Sequence, residues 1–151
     1  MYTQKSFVLK PAEADKKWFV VDAQDQVVGR LATQIADILR GKLNPKFTYN
    51  TDSGDYVVVI NADKVKFTGN KWEDKEYFWH TNFTGGIKKR SAKEQLEKHP
   101  ELIVLEAVKG MLPKNTLGRK QLTKLKVFAG PTHEHDAQKP EVYNVKEMGN
   151  R

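Results

Sequence analysis

The sequence predicts an α/β layered domain on a small, mainly parallel sheet. Three observations lead there. A short apolar run at residues 18–21 is followed by an amphipathic segment and then by a second run, Tyr56–Ile60. That second run is continuous and β-branched rather than alternating, as expected of a strand covered on both faces. Helical segments then precede a last short apolar run, Val127-Phe128-Ala129. Strand, helix, strand, then helices before a further strand is the element order of α/β layers.

Taken in order, residues 1–17 are polar apart from Phe7, Val8 and Leu9 and form an extended arm. Residues 18–21 are the first strand, ending at Asp22. The next segment places Val28, Leu31, Ala32, Ile35, Ile38 and Leu39 on one stripe of a helix. Arg40 and Lys42 sit where the helix dipole favours cations, Gly41 stops the helix, and Asn44-Pro45 prevents its continuation. After Tyr56–Ile60, the alternation of Val65 and Phe67 with Lys64 and Lys66 predicts a half-exposed strand. Thr68-Gly69-Asn70-Lys71 is a turn. Residues 72–90 mix Trp72, Tyr77, Phe78, Trp79 and Phe83 with Gly85-Gly86 and Lys88-Lys89-Arg90, and are expected to be a long functional loop. Ser91-Ala92-Lys93-Glu94 is a capping box for a helix that ends near His99. Pro100 starts the next helix, through Leu102, Ile103, Leu105 and Val108. Pro113 breaks the chain, and Asn115 or Thr116 caps a third helix bearing Leu117, Leu122 and Leu125. From Gly130 onward the chain is polar and tail-like. The expected organisation is one domain over 1–151: an arm at 1–17, a body at 18–130 and a tail at 131–151.

Charge is the main functional signal. The chain carries 26 Lys and Arg against 19 Asp and Glu, a net +7. Segment 109–126 holds Lys109, Lys114, Arg119, Lys120, Lys124 and Lys126 and no acid; without it the balance is 20 against 19. A local basic stripe on a near-neutral body is the footprint of a polyanion partner. Gly110 and Gly118 would let backbone approach a phosphate, and a helix starting near Thr116 would direct its dipole at one. Arg119, Lys120 and Lys124 are expected to face solvent while the leucines hold the core. Lys88, Lys89 and Arg90 form a second basic cluster; the aromatics near it are expected to be mostly core or cover, with stacking on unpaired bases as the alternative.

Other chemistry is thin. There is no Cys, which excludes disulfides and thiol catalysis. His133-Glu134-His135-Asp136 contains permitted metal ligands but no third histidine nearby, so no metal is expected. Asp52 and Asp55 beside Ser53-Gly54 are expected to do ordinary turn chemistry. Gly41-Lys42 lacks phosphate-loop spacing, and no nucleophile–base–orienter set is visible. Residues 1–17 contain no apolar core for a secretory signal, and no apolar run approaches the roughly 20 residues of a membrane span. An enzyme acting on a phosphorylated small ligand and a DNA-binding module remain the competing classes.

Several segments together resemble one family: Val28-Gly29-Arg30-Leu31-Ala32-Thr33, Asp52-Ser53-Gly54-Asp55-Tyr56, Ile60-Asn61-Ala62-Asp63-Lys64, Thr68-Gly69-Asn70-Lys71, Gly85-Gly86-Ile87-Lys88, Val108-Lys109-Gly110-Met111-Leu112-Pro113-Lys114 with Leu117-Gly118-Arg119, and Lys124-Leu125-Lys126-Val127-Phe128-Ala129-Gly130. They resemble bacterial large-subunit ribosomal protein thirteen, colinearly from about Phe7 to Pro140. The resemblance implies a three-layer α/β/α domain and a non-enzymatic constituent of the large ribosomal subunit. It also implies early binding to large-subunit (23S) ribosomal RNA beside neighbouring ribosomal proteins in the cytoplasm, with no cofactor, small-molecule substrate or membrane. RNA contacts then fall on Lys109, Lys114, Arg119, Lys120, Lys124 and Lys126, then Lys71 and Lys88. Glu134, between the two histidines, departs from the resembled family, which often has Pro or another uncharged residue there, so no RNA contact is carried to the His133/His135 loop.

Overall fold

The computed structural model describes residues 6–145, and within them the α/β class is observed. Strand β1 (Trp18–Asp22) leads to helix α1 (Val28–Arg40) and strand β2 (Tyr56–Ile60). A single helical turn, α2 (Lys71–Asp74), precedes strands β3 (Glu76–His80) and β4 (Ile87–Ser91). Helices α3 (Ala92–Lys98), α4 (Pro100–Met111) and α5 (Thr116–Leu122) follow, then strands β5 (Leu125–Val127) and β6 (Glu141–Val142). The main sheet has the order β5-β2-β1-β6 and every pairing in it is parallel; β3 and β4 form a separate antiparallel hairpin.

The parallel register explains which side chains meet. Trp18 lies opposite Tyr56, Val20 opposite Val58 and Val21 opposite Val59. Successive residues point to opposite faces of a strand, so Val21, Val57 and Val59 face α1 while Val20 and Val58 face the other way. The expected α1 stripe is fully used: Val28, Leu31, Ala32, Ile35, Ile38 and Leu39 are all buried against this face and α4. The opposite face carries Trp18 stacked on Tyr56, with ring centroids 4.4 Å apart. It is covered by the loop around His135, which packs on Trp18 and Phe128, and by one 3-10 turn, Asp136–Gln138. The third layer is therefore thin.

Close approach fixes two glycines. Gly41 ends α1 in the left-handed region at φ 80, and Lys42 N–H donates to the Asp37 carbonyl at 3.0 Å. A Cβ on Gly54 would overlap the Leu39 carbonyl, so the loop entering β2 lies directly on the end of α1. The capping reading at Ser91 holds: its Oγ accepts from Glu94 N–H at 3.3 Å.

Four expectations need correction. Residues 64–67 are not a strand; Ala62–Lys64 is a 3-10 turn entered through Asn61 at φ 56, and only an isolated bridge joins Lys66 to Val27. Segment 72–90 is not a loop but α2 and the β3–β4 hairpin, reversed by residues 81–86 with Asn82 at φ 64 and Gly85 at φ 70. The short strand expected at Val127-Phe128-Ala129 is Leu125–Val127, two residues earlier, at one edge of the sheet. The polar stretch after Gly130 returns to the sheet, where β6 pairs with β1. The arm also packs in part: Leu9 is buried and its carbonyl accepts from Thr51 Oγ1 at 2.7 Å. Residues 1–5 of the arm and 146–151 of the tail lie outside the described residues. Among the described residues, no helix is long and apolar enough to cross a membrane.

Ile35 is completely buried at the centre of α1. Ile35→Ala should lower unfolding free energy by about 3 kcal/mol, measured by urea titration. A loss under about 1 kcal/mol would place α1 outside the principal core.

Candidate nucleic-acid interface

Segment 109–126 folds as a tight corner rather than a flexible basic strip. Leu112 is buried and α4 ends there, before Pro113. Asn115 Oδ1 accepts from Gly118 N–H at 2.7 Å and so caps α5. A Cβ on Gly118 would overlap the Pro113 carbonyl oxygen, so this glycine lets α5 close onto the turn. That corrects the expected role of Gly118: its N–H is spent on the cap and unavailable to a phosphate. With seven residues, α5 is also too short to act as a dipole site in its own right. Gly110 sits in α4 with open space around it and leaves that helix surface smooth.

The corner brings Lys109, Lys114 and Arg119 around one groove of about 220 Å³, floored by Leu112, Pro113, Gly118 and Leu122. Lys120 is exposed next to Arg119, while Gln121 and Leu125 are buried and dock α5 and β5 to the body. Four cations thus share a rigid surface, and no acid occurs between residues 107 and 133.

Lys124 is not part of that surface. It is 4% exposed, against the expectation that it faces solvent. Its Nζ lies 2.6 Å from Asp52 Oδ1 and donates to the carbonyls of Gly54 at 2.8 Å and Leu39 at 3.3 Å. Lys16 reaches the other Asp52 oxygen at 3.1 Å. The Asp52–Asp55 turn therefore does more than turn chemistry: Asp52 is the counter-ion of a buried ammonium, and Asp55 Oδ1 accepts from Lys17 N–H at 2.9 Å. Burial pushes the Asp52 carboxyl up, but hydrogen bonds from Lys124 and Lys16 outweigh it and hold the group below its ordinary 3.8. Burial pulls the Lys124 ammonium below 10.5, against the support of Asp52. At Asp55, burial wins and raises the carboxyl.

The remaining expected residues are dispersed. Lys126 is exposed, but β5 points Leu125 and Val127 toward the helices, which puts Lys126 on the opposite sheet face. On the hairpin, Lys88 is exposed with no ion-pair partner among the described residues. Lys89 is bound to Glu76 at 2.8 Å. Arg90 stacks over Trp79 at 4.7 Å and donates to Gln95 Oε1 at 3.1 Å. Of the aromatics expected to be core or cover, Phe78 and Trp79 are instead 63% and 41% exposed, and Phe83 at the hairpin tip is exposed as well. Trp72 and Tyr77 do pack with the core. His135 is used in aromatic packing, and its N–H donates to His133 Nδ1 at 3.2 Å. Lys71 lines a second, larger cavity with Arg30 and Lys75, two cations the sequence reading missed. The signal was present in Gly29-Arg30 opening a helix, but the α2 turn that brings Lys71 and Lys75 there was hidden inside the supposed loop.

Lys124→Met should destabilise the fold by about 3 kcal/mol, because it leaves a partly buried carboxylate at Asp52. The pH dependence has a definite sign. A carboxyl depressed in the folded state adds stability above its unfolded pKa, which is lost as pH falls through the folded value. Asp52→Asn should therefore lose stability less steeply than the unaltered chain as pH drops below about 4. Identical acid limbs in denaturant titrations would contradict the pairing.

The family model described as Ribosomal protein L13 matches residues 16–134. The chain is 55% identical over 141 residues to the large ribosomal subunit protein uL13 of Brevibacillus brevis, covering 93% of this chain and 97% of that one. It is 56% identical over 138 residues to uL13 of Thermotoga maritima, covering 91% and 93%. Against uL13 of Cereibacter sphaeroides it is 54% identical over 145 residues, covering 95% and 94%. With a family model matched over most of its length and relatives this similar along nearly their full length, the chain belongs to the ribosomal protein L13 family.

Proposed function

We propose that this chain is a structural constituent of the large ribosomal subunit. In this reading it binds large-subunit (23S) ribosomal RNA through the α4–α5 corner, early in subunit assembly, beside neighbouring ribosomal proteins in the cytoplasm. The observation that carries this is the corner itself: Lys109, Lys114, Arg119 and Lys120 exposed on a backbone fixed by the Asn115 cap and the Gly118–Pro113 contact. Phosphate contacts supply most of the affinity of such a surface, and its fixed shape selects folded RNA. Lys126, Lys71 and the Lys88–Arg90 cluster add contacts elsewhere on the molecule, so the RNA would wrap the body rather than touch one spot. Lys124 contributes from inside, by holding the corner's far end. The relatives are ribosomal structural proteins, and no catalytic step is assigned to this chain.

Arg119→Glu with Lys120→Glu should weaken binding to transcribed large-subunit RNA at least tenfold, read by filter binding. Circular dichroism should be unchanged, since both side chains face solvent. With about five phosphates neutralised, log K should fall with log salt at a slope of about −4. A flat salt response, or equal affinity of the double variant, would overturn the reading. Tighter binding to duplex DNA than to the RNA would favour a DNA-binding module instead.

A further inference from the structure

The β3–β4 hairpin leaves an apolar face uncovered. Side chains alternate across a strand, so Tyr77 and Trp79 share one face with Lys88 and Arg90, and Phe78 and His80 share the other with Ile87 and Lys89. Tyr77 is buried, which turns its face toward the body and the Phe78 face outward. Phe78, Ile87 and, at the tip, Phe83 stand largely in solvent. Phe78, Trp79, His80 and Ile87 together line a hollow of about 380 Å³. A cluster of large apolar side chains held in water marks a docking surface.

The surface is rigid as well as exposed. Besides the Lys89–Glu76 and Arg90–Trp79 contacts, Ala92 N–H donates to the Lys75 carbonyl at 2.9 Å. The tip is closed by its own hydrogen bonds. Thr81 N–H and Oγ1 both donate to the Gly86 carbonyl, at 3.0 and 3.2 Å, and Gly86 N–H donates to the Phe83 carbonyl at 2.9 Å. Asn82 N–H donates to His80 Nδ1 at 2.9 Å, which orients the exposed His80 ring. Rings on a fixed backbone lose little freedom when a partner covers them.

Charge selects that partner. Residues 77–93 hold Lys88, Lys89, Arg90 and Lys93 and no Asp or Glu. Lys89 is engaged by Glu76, while Lys88 and Lys93 are exposed without an ion-pair partner among the described residues. A second copy of this chain would set like charge against like. A neutral apolar protein surface would leave the cations unanswered. A nucleic-acid strand with unpaired bases answers both features, with flat apolar faces for the rings and phosphates for the lysines.

We propose that the hairpin is a stacking platform for unpaired nucleotides of the ribosomal RNA, with bases lying on Phe78 and Phe83 and with Lys88 and Lys93 neutralising phosphates of the same strand. This rests on the RNA-binding reading above and gives the hairpin a different kind of target from the corner. Helical RNA, whose bases are already stacked, offers phosphates to Lys109 and Arg119 but no base face to Phe78. The hairpin therefore takes a loop or a bulge. It accepts any base there, because every base has a flat face. Trp79, with Arg90 over its ring, lies beside the platform and reports its occupation.

The test uses the full chain with isotope-labelled amides and indoles, titrated separately with a single-stranded oligouridylate, a duplex RNA of the same length and transcribed large-subunit RNA. The oligouridylate and the transcribed RNA should shift the Trp79 indole and the amides of residues 78–88. The duplex should shift the Arg119 and Lys120 amides and leave Trp79 unmoved. Phe78→Leu keeps an apolar side chain and removes the ring. It should keep the thermal midpoint and weaken oligouridylate binding about tenfold, whereas Phe78→Trp should bind at least as tightly as the unaltered chain. Phe83→Leu should act in the same direction as Phe78→Leu. If both leucine variants bind the oligouridylate as the unaltered chain does, or the duplex shifts Trp79 as strongly as the single strand, the platform is wrong while the corner stands. If transcribed RNA shifts Arg119 and Lys120 but leaves Trp79 unmoved, the hairpin faces a neighbouring protein instead and the platform is again wrong. If the unaltered chain binds no RNA at all, both readings fall.

Discussion

A single buried ammonium organises the molecule. Lys124 reaches from the start of β5 under the loop that enters β2, and its three hydrogen-bonding positions are filled by Asp52, the Gly54 carbonyl and the Leu39 carbonyl at the end of α1. These partners belong to two segments, the end of α1 and the 52–54 loop, that sequence places 70 to 85 residues away from it. A charge removed from water this far is tolerated only with an opposite charge and satisfied donors, and both are present. Remove it, and the Leu39 carbonyl near the end of α1, the 52–54 loop and the far end of the basic segment lose their common anchor. The two tight glycine contacts, Gly41 on Ser53 and Gly54 on Leu39, converge on the same place.

That anchoring changes what the basic segment is. Six cations in eighteen residues suggest a uniform electrostatic stripe. Folding sorts them into three classes. Lys109, Lys114, Arg119 and Lys120 share a surface, Lys126 faces the other side of the sheet, and Lys124 is structural. A rigid surface loses less entropy on binding than a flexible tail with the same charge, so fewer contacts suffice for selective recognition of folded RNA. The hairpin follows the same logic with a different outcome. Lys89 and Arg90 are held by Glu76, Trp79 and Gln95, which stiffens β3 and β4 and leaves Lys88 outward.

Much of this was legible in the sequence, for physical reasons that differ by element. The α1 stripe and the β2 run are strong because burial dictates every position in them. The Ser91 cap and the Pro100 and Pro113 breaks are local rules that tertiary packing left alone. What was hidden is long-range. Nothing near Lys124 in sequence announces Asp52, so its charge suggested solvent. The β3–β4 hairpin escaped because it lies outside the main sheet, with Phe78 and Ile87 exposed where polar residues would mark a strand's outer face. β6 escaped because two residues on a sheet edge, Glu141 and Val142, carry no apolar pattern at all. The cavity at Arg30 and Lys75 needed the α2 turn before its walls could be seen together.

Ribosomal RNA is proposed to cover the α4–α5 corner, while Lys124 is held inside by Asp52. Acetylation of lysines, compared between the free chain and the chain within isolated large subunits, addresses it directly. Lys109, Lys114 and Lys120 should react in the free chain and be protected in the subunit, with Lys124 unreactive in both. Equal reactivity of Lys109, Lys114 and Lys120 in the two states, or ready acetylation of Lys124 in the folded free chain, would contradict the account.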